Sequence, residues 1–144
     1  IYQPFNKQGY KWQSKHNASV VSLWTKIPDK GTMVCICSSL KDALCLSANT
    51  LIPSLAIQGE GYGMSDTAVN NLKTRFNNQF ILLDNDEVGI KDGIKLSERT
   101  GFTNLVLPKI EGTANIPNPK DIAEYYQVLG KEQFIQLIHK LFNI

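Results

Sequence analysis

Short, largely apolar segments alternate along this chain with segments that have the apolar spacing of helices. The segments that we predict as strands are residues 33–37, 54–57, 80–83 and 103–107. The segments that we predict as helices are residues 41–48, 65–76, 88–100, 120–128 and 131–142. Fully apolar strands that alternate with helices are typical of an α/β fold. We therefore predict a mainly parallel four-stranded sheet that is flanked by helices.

Local signals mark where several of these helices begin and end. Ser39 followed by Asp42 fits a variant of the capping box, and Ser65 can cap the second helix. Gly101 is placed to end the third helix, because glycine readily adopts the left-handed backbone that closes a helix. These signals support the same alternation of strands and helices.

Composition excludes several classes of protein. Hydrophobic residues make up 42% of the chain and charged residues 19%, which excludes a disordered or collagen-like chain. No apolar run reaches the roughly 18 residues of a membrane span, and the first residues lack the features of a signal peptide. The three cysteines include no C-x-x-C pair, which argues against a zinc site and favours buried, reduced thiols in a cytoplasmic protein. Because the chain does not begin with Met, we expect it to be a piece of a longer protein.

The first 31 residues differ from the rest in charge and aromatic content. Residues 1–30 contain five lysines and a single acid, Asp29. Lysines neutralise phosphates and aromatic rings stack on bases, so this leader is a candidate surface for nucleic acid. The residues that we single out for contact with nucleic acid or nucleotide are Lys7, Lys11, Trp12 and Lys15. A solvated flap whose aromatic residues pack on the domain stays equally open. We predict a boundary between the leader, residues 1–31, and a domain of residues 32–144.

Two aspartates follow directly on the most apolar of the predicted strands. Asp84 and Asp86 come just after residues 80–83, and ligands of parallel sheets gather at the carboxyl ends of the strands. Two carboxylates this close need a cation between them, and hard oxygen ligands favour Mg²⁺. Such an ion would neutralise phosphate charge and orient a displacement. The alternative is an ordinary surface turn, in which Asp and Asn are common.

Two further acids are candidates for the same region. Glu60 lies among the glycines of residues 58–63, which allow either a close approach by a ligand or a flexible turn. The full dinucleotide-binding pattern of glycines does not follow. Asp121 comes after Asn118 as a helix cap and Pro119 in the first turn, so it is either part of a helix start or a third acid near the metal.

The segment after the first predicted strand, Ser38–Asp42, combines two serines with a lysine. Its aspartate is most simply explained by the helix cap, whereas Lys41 and the exposed amides could equally bind a phosphate. Neither serine has an evident histidine partner, because His16 and His139 are isolated in the sequence. This argues against a Ser–His hydrolase.

The order of these motifs resembles the TOPRIM domain shared by bacterial-type DNA primases and topoisomerases, and most of all the domain of phage-encoded primases and primase-helicases. The motifs are S-S-L-K-D-A-L, G-E-G, L-L-D-N-D-E-V-G and P-K-D-I-A-E-Y, within about residues 32–130. The basic leader is similar to the stretch that precedes TOPRIM in phage primases. The resemblance implies a TOPRIM fold, which is Rossmann-like.

The resemblance also implies roles for individual residues. The acids that it assigns to the metal are Asp84, Asp86 and Asp121. The family usually has a glutamate, used for metal binding or acid/base chemistry, at the position that Ser38 occupies here. Serine cannot act as a carboxylate base, so either another acid, with Glu60 and Glu87 as the candidates, replaces it, or the metal site is sparser, or activity is weak.

The implied reaction is template-directed synthesis of RNA primers on single-stranded DNA, with Mg²⁺ or Mn²⁺ as the cofactor. The lysines that would contact the template or the nucleoside triphosphate are Lys7, Lys11, Lys15 and Lys41. A replicative helicase is an expected partner, and the expected location is the cytoplasm, that of a bacterial host if a phage encodes the protein. Two other functions stay open: phosphodiester cleavage by a TOPRIM nuclease or topoisomerase, and nucleic-acid binding without catalysis.

Overall fold

The computed structural model describes residues 20–58 and 63–144. Within these ranges the strands are β1 (Gly31–Cys37), β2 (Ser54–Ala56), β3 (Phe76–Leu82) and β4 (Thr103–Leu105). The α-helices are α1 (Leu40–Thr50), α2 (Asp66–Arg75), α3 (Glu87–Thr100) and α4 (Ile122–Phe142). A short 3₁₀ turn, Trp24–Lys26, precedes β1. No helix of the described ranges has both the length and the apolar character needed to cross a membrane.

The four strands form one sheet in the order β2-β1-β3-β4, and every neighbouring pair of strands is parallel. In the centre of the sheet Ile36 of β1 lies beside Leu55 of β2 on one side and Ile81 of β3 on the other. This confirms the predicted α/β class and the four-stranded sheet flanked by helices. The arrangement is consistent with a Rossmann-like fold.

The sheet is covered on both faces, which explains why the inner strand β1 is apolar from Met33 to Cys37. Val34 and Ile36 of β1 belong to the core beneath α2 and α3, whereas Cys35 and Cys37 belong to the core beneath α1 and α4. All four side chains are fully buried. The two cysteines therefore lie on one face of the strand, as the alternation of a strand predicts, and both are free thiols.

The third strand is longer than its sequence suggests. We predicted a helix through Phe76 and a strand at residues 80–83, but α2 ends at Arg75 and β3 begins at Phe76. Phe76 is buried and pairs with Gly31, while the polar residue Asn78 pairs with Met33. Because residues 77–79 are all polar, this half of the strand has no apolar run. The prediction of β4 was also too long, since β4 ends at Leu105.

The last helix is broken at Gly130, where φ is +73°. A positive φ is readily adopted only by glycine, so this residue separates two helical segments. The break falls between the two helices predicted from the sequence. Tyr125 before it and Phe134 and Ile138 after it are fully buried against the sheet and α1.

The connections diverge at the centre of the sheet. From β1 the chain passes through α1 to β2, and from β3 it passes through α3 to β4. Helices α1 and α3 lie on opposite faces, as their membership of the two cores shows. The carboxyl ends of β1 and β3 therefore form a topological switch point, which is where open parallel sheets bind ligands.

Candidate functional site

Ser38 and Asp84 meet at this switch point. Ser38 follows β1 directly and Asp84 follows β3 after one residue. The Ser38 hydroxyl donates a hydrogen bond of 2.6 Å to Oδ1 of Asp84, and the serine is buried. The two loops that flank the switch point are thus joined by their side chains.

Asp86 is the capping residue directly before α3, and the first turn of the helix fixes the orientation of its side chain. Oδ1 of Asp86 accepts a 2.9 Å hydrogen bond from the backbone N–H of Gly89, which makes Asp86 the cap of the helix. Gly89 lies against the loop so closely that an added Cβ would be 2.3 Å from the backbone oxygen of Asp84. The absence of a side chain at Gly89 therefore lets the helix start pack beside the first aspartate.

The second oxygens of the two aspartates face the same cation. The ammonium of Lys120 lies 3.1 Å from Oδ2 of Asp86 and 3.9 Å from Oδ2 of Asp84. Each carboxylate thus uses one oxygen to fix its own orientation and turns the other toward a common positive charge. We call Asp84 and Asp86 the acid pair, and Lys120 lies between them.

The backbone of Lys120 is held firmly beside the acid pair. Its carbonyl oxygen accepts a 2.6 Å hydrogen bond from the N–H of Asn85, and its own N–H donates to Oε2 of Glu124 at 2.8 Å. The side-chain amide of Asn85 donates to the Tyr125 hydroxyl, which in turn donates to the carbonyl oxygen of Pro108. These bonds fasten the loop before α4 to the loop after β3.

Asp121 pairs with a different lysine. Its Oδ1 accepts from the N–H of Glu124, so Asp121 itself caps α4. The prediction of Asn118 as the cap was wrong, because the helix begins at Ile122. Oδ2 of Asp121 accepts a 2.6 Å hydrogen bond from the ammonium of Lys41. The lysine proposed for phosphate binding is therefore part of an ion pair in this structure.

Asp42 lies in the first turn of α1 and links this helix to α4. It is almost fully buried, and its Oδ1 accepts a 3.1 Å hydrogen bond from the N–H of Ala123 in α4. Its Oδ2 accepts from the hydroxyl of Ser39. Ser39 caps α1 by accepting from the N–H of Asp42, which confirms the capping interaction predicted from the sequence. Both carboxylate oxygens are thus engaged inside the protein.

The acids of the site differ in how easily they ionise. Burial raises the pKa of Asp84, although the hydrogen bond from Ser38 opposes this, and burial likewise raises the pKa of Asp42. The hydrogen bond from the N–H of Gly89, together with the nearby Lys120, holds the pKa of Asp86 below its ordinary value, although burial opposes this. A cation beside Asp84 would therefore stabilise the charge that burial disfavours.

The acid pair fits a divalent cation in its donor chemistry. Within residues 20–58 and 63–144, no three His, Cys, Asp or Glu residues are grouped so as to hold a metal ion. Mg²⁺ commonly uses only one or two carboxylates and completes its shell with water and substrate phosphates. The Lys120 ammonium occupies the place of such a cation: it lies 3.1 Å from an oxygen of Asp86 and 3.9 Å from an oxygen of Asp84. A single positive charge at this place therefore interacts with both carboxylates.

A cavity of about 320 Å³ adjoins the acid pair. Asp86 and Lys120 line it on the side of the acids, and Lys109 adds a second positive charge to its wall. The remaining lining residues are Asn85, Ile110, Asn118, Pro119 and Tyr125. The cavity has a mixed polar and apolar lining, carries charges of both signs and has room for a small charged group.

Several candidate residues from the sequence lie outside the described ranges or are not part of the acid pair. Those outside the described ranges are Lys7, Lys11, Trp12, Lys15 and Glu60. Glu87 is exposed in the first turn of α3. Sequence reasoning missed Lys120, because its position beside the acid pair depends on the path of the loop before α4, which leaves no local signal in the sequence.

Comparison with known proteins does not assign this site. No protein-family model matches the chain, and no curated protein is significantly similar to it in sequence. The chemistry of the acid pair is therefore inferred from its own residues and from the motifs that contain them.

Proposed function

We propose that this chain is the TOPRIM domain of a DNA primase of the kind that phages encode, and that it transfers nucleotides in the presence of Mg²⁺ or Mn²⁺. Its substrates would be nucleoside triphosphates and a single-stranded DNA template, and its product an RNA primer. A replicative helicase is the proposed partner and the bacterial cytoplasm the proposed location. The proposal joins the order of the motifs to the geometry of the acid pair.

One observation carries the proposal. Asp84 and Asp86 lie at the switch point of a parallel sheet and each directs one oxygen to a single cation. Their other oxygens are fixed by Ser38 and Gly89, so both carboxylates are oriented before any ligand arrives. A preoriented pair of carboxylates at this position is what metal-assisted phosphoryl chemistry requires of a protein.

In the proposed reaction, the 3′-hydroxyl of the growing primer attacks the α-phosphorus of the nucleotide. The bond to the bridging oxygen breaks and pyrophosphate leaves, while the hydroxyl proton passes to solvent. A divalent cation supplies charge neutralisation at the phosphates when it is bound. Asp84 and Asp86 would hold it, and the loop bonds of Asn85 and Lys120 would keep the two carboxylates and the cavity wall in register.

A second candidate function is nucleic-acid binding without catalysis. Two observations favour it: Ser38 stands where the resembled family has a glutamate, and Lys120 already offsets part of the negative charge of the acid pair. A protein of this kind would bind single-stranded DNA equally well with and without a divalent cation. Binding would also survive the loss of both carboxylates.

Primer synthesis by the full-length protein tests the proposal. We expect radiolabelled ribonucleotides to be incorporated on single-stranded DNA with Mg²⁺ or Mn²⁺, and Asp84→Asn with Asp86→Asn to reduce the rate at least 100-fold, since each carboxylate is a proposed ligand. Asp66→Asn with Asp92→Asn is the matched control. It removes two acids that pair on the surface with Arg99 and Lys95, and should leave the rate unchanged.

Nicking and DNA-binding assays on the same proteins separate the alternatives. Nicking of supercoiled DNA without primer synthesis would replace the proposal by phosphodiester cleavage. Binding of single-stranded DNA that needs neither a divalent cation nor the two carboxylates, again without synthesis, would establish the non-catalytic alternative. Synthesis that continues in the Asp84→Asn, Asp86→Asn protein would show that the acid pair is not the catalytic site.

A further inference from the structure

We propose that Lys120 is an internal cation that competes with the divalent metal for Asp84 and Asp86, so that metal binding requires its ammonium to leave the acid pair. This inference rests on the proposed function, because it concerns the same site. It adds a residue that the motifs do not assign and a control on the affinity of the site for metal.

The position of the ammonium carries the inference. A metal bound to Asp84 and Asp86 would need the two oxygens that now face Lys120, because their other oxygens are engaged by Ser38 and by the N–H of Gly89. Two cations cannot share such a narrow site without strong repulsion. Metal and ammonium are therefore alternatives at the same pair of oxygens.

The structure also provides for the exchange. The backbone of Lys120 is fixed by Asn85 and Glu124, so the loop need not move when the side chain does. The side chain itself is 49% exposed and lines the adjoining cavity of about 320 Å³. A displaced ammonium can thus turn into the cavity, where it would meet an anionic group bound there.

Lys109, which lines the cavity together with Lys120, is the natural comparison. Lys109 lines the same cavity and contributes the same charge, but it is not one of the lysines paired with the acids of the site. General electrostatic repulsion of a metal would be relieved by the loss of either lysine. Direct competition would be relieved only by the loss of Lys120.

Mn²⁺ affinity tests the proposal directly. Free Mn²⁺ is measured by electron paramagnetic resonance as the full chain is titrated at pH 7, for the wild type, Lys120→Gln, Lys109→Gln, and Asp84→Asn with Asp86→Asn. We expect Lys120→Gln to bind Mn²⁺ about three- to tenfold more tightly than the wild type, the range expected for removing a partly buried ion pair. Lys109→Gln should change the affinity less than about twofold, and the Asp84→Asn, Asp86→Asn protein should lose the site.

Each result bears on the inference and on the proposed function separately. Equal affinity in the wild type and Lys120→Gln, with binding that needs the two aspartates, would overturn the competition and leave the proposed metal site intact. An equal gain in Lys120→Gln and Lys109→Gln would also overturn it. Binding by Lys120→Gln alone would support the competition and contradict metal-dependent activity of the wild type. Absence of binding in both proteins would contradict both proposals.

Discussion

At the residue scale, the aspartates of this region form two groups, according to whether the second carboxylate oxygen faces a lysine or is hydrogen-bonded inside the protein. Asp84, Asp86 and Asp121 each give one oxygen to the fold and direct the other to a lysine. Both oxygens of Asp42 are bonded inside the protein, to Ala123 and Ser39. A carboxylate whose two oxygens are both hydrogen-bonded inside the protein is poorly placed to bind a ligand. We therefore assign Asp42 a structural role and propose the acid pair as the ligand-binding carboxylates.

Ser38 gives the first prediction at this scale. Ser38→Ala should lower the free energy of unfolding by about 1.5 to 3 kcal/mol, since it removes a partly buried hydrogen bond to a charged group. Ser38→Glu should lower it further in metal-free buffer, because a third carboxylate would then lie beside Asp84 and Asp42. Denaturant unfolding in EDTA and in Mn²⁺ measures both.

The response to metal distinguishes the two Ser38 variants. Relative to the wild type in the same buffer, Mn²⁺ should restore much of the stability lost in Ser38→Glu, because the added carboxylate gains a cation, and should leave the deficit of Ser38→Ala unchanged. If the deficit of Ser38→Glu relative to the wild type is the same in EDTA and in Mn²⁺, the serine does not stand at the position of a metal ligand.

The opposite pKa shifts of Asp86 and Asp42 predict opposite effects of pH. The pKa of Asp86 is lowered in the fold, so its charge stabilises the protein above an unfolded pKa of about 3.9, and this contribution is lost as pH falls through the folded value. The pKa of Asp42 is raised, so its contribution is present below about 3.9 and is lost as pH rises through the folded value.

Unfolding by urea between pH 3 and pH 7 measures this difference. Asp86→Asn keeps a capping side chain, so it should be less stable than the wild type near pH 7 and equally stable at the lowest pH. Asp42→Asn should be closest to the wild type, or above it, near pH 7 and fall behind at low pH. Curves for both variants that run parallel to the wild-type curve would show that neither carboxylate changes its pKa on folding.

At the scale of elements, the approach of α3 to the loop after β3 depends on a single glycine. Gly89→Ala would place a methyl group 2.3 Å from the backbone oxygen of Asp84, so the helix start must move away. We expect a loss of about 1 to 3 kcal/mol in the free energy of unfolding, typical of overpacking, and a weaker affinity for Mn²⁺. Calorimetry and Mn²⁺ titration measure the two effects.

Gly93→Ala is the matched control for this change. It lies in the same helix and gains the same helix propensity, but the atoms nearest to its added methyl group belong to the side-chain amide of Asn104 and not to backbone. The amide can rotate, so we expect a smaller loss of stability and an unchanged affinity for Mn²⁺. Equal effects of the two substitutions would mean that the helix start does not position the acid pair.

The elements also show what could be predicted from the sequence. Two helix ends predicted from local chemistry were confirmed, with Ser65 capping α2 and Gly101 ending α3 at a φ of +75°, whereas the cap predicted at Asn118 lies at Asp121. The start of β3 at Phe76 was missed, because its first half is polar and is held by pairing with β1. Pairing between distant strands leaves no local pattern in the sequence.

At the scale of the whole molecule, the site is assembled from segments that are far apart in the chain. The alternation of strands and helices predicted the parallel sheet, and the rule for strand ends placed Asp84 and Asp86 at its edge. The contact between Ser38 and Asp84 spans 46 positions and follows from the order of the strands. The position of Lys120 could not be predicted, because it depends on the path of residues 106–121, which have no regular secondary structure.

Because global unfolding separates these segments, a cation that binds them should stabilise the entire domain. Binding to the folded state alone contributes about 2.7 kcal/mol when the ligand is at 100 times its Kd. For a chain of 144 residues this corresponds to a rise in Tm of roughly 5 to 10 °C. Differential scanning calorimetry over a series of Mn²⁺ concentrations at constant ionic strength measures the shift.

The variants already described decide the origin of such a shift. Asp84→Asn with Asp86→Asn should abolish it, whereas Asp66→Asn with Asp92→Asn, which removes the same charge elsewhere on the surface, should retain it. Lys120→Gln should reach the same rise at a lower Mn²⁺ concentration, since the competing ammonium is gone. A shift that persists without the acid pair would place the cation elsewhere and separate the stability of the domain from its proposed chemistry.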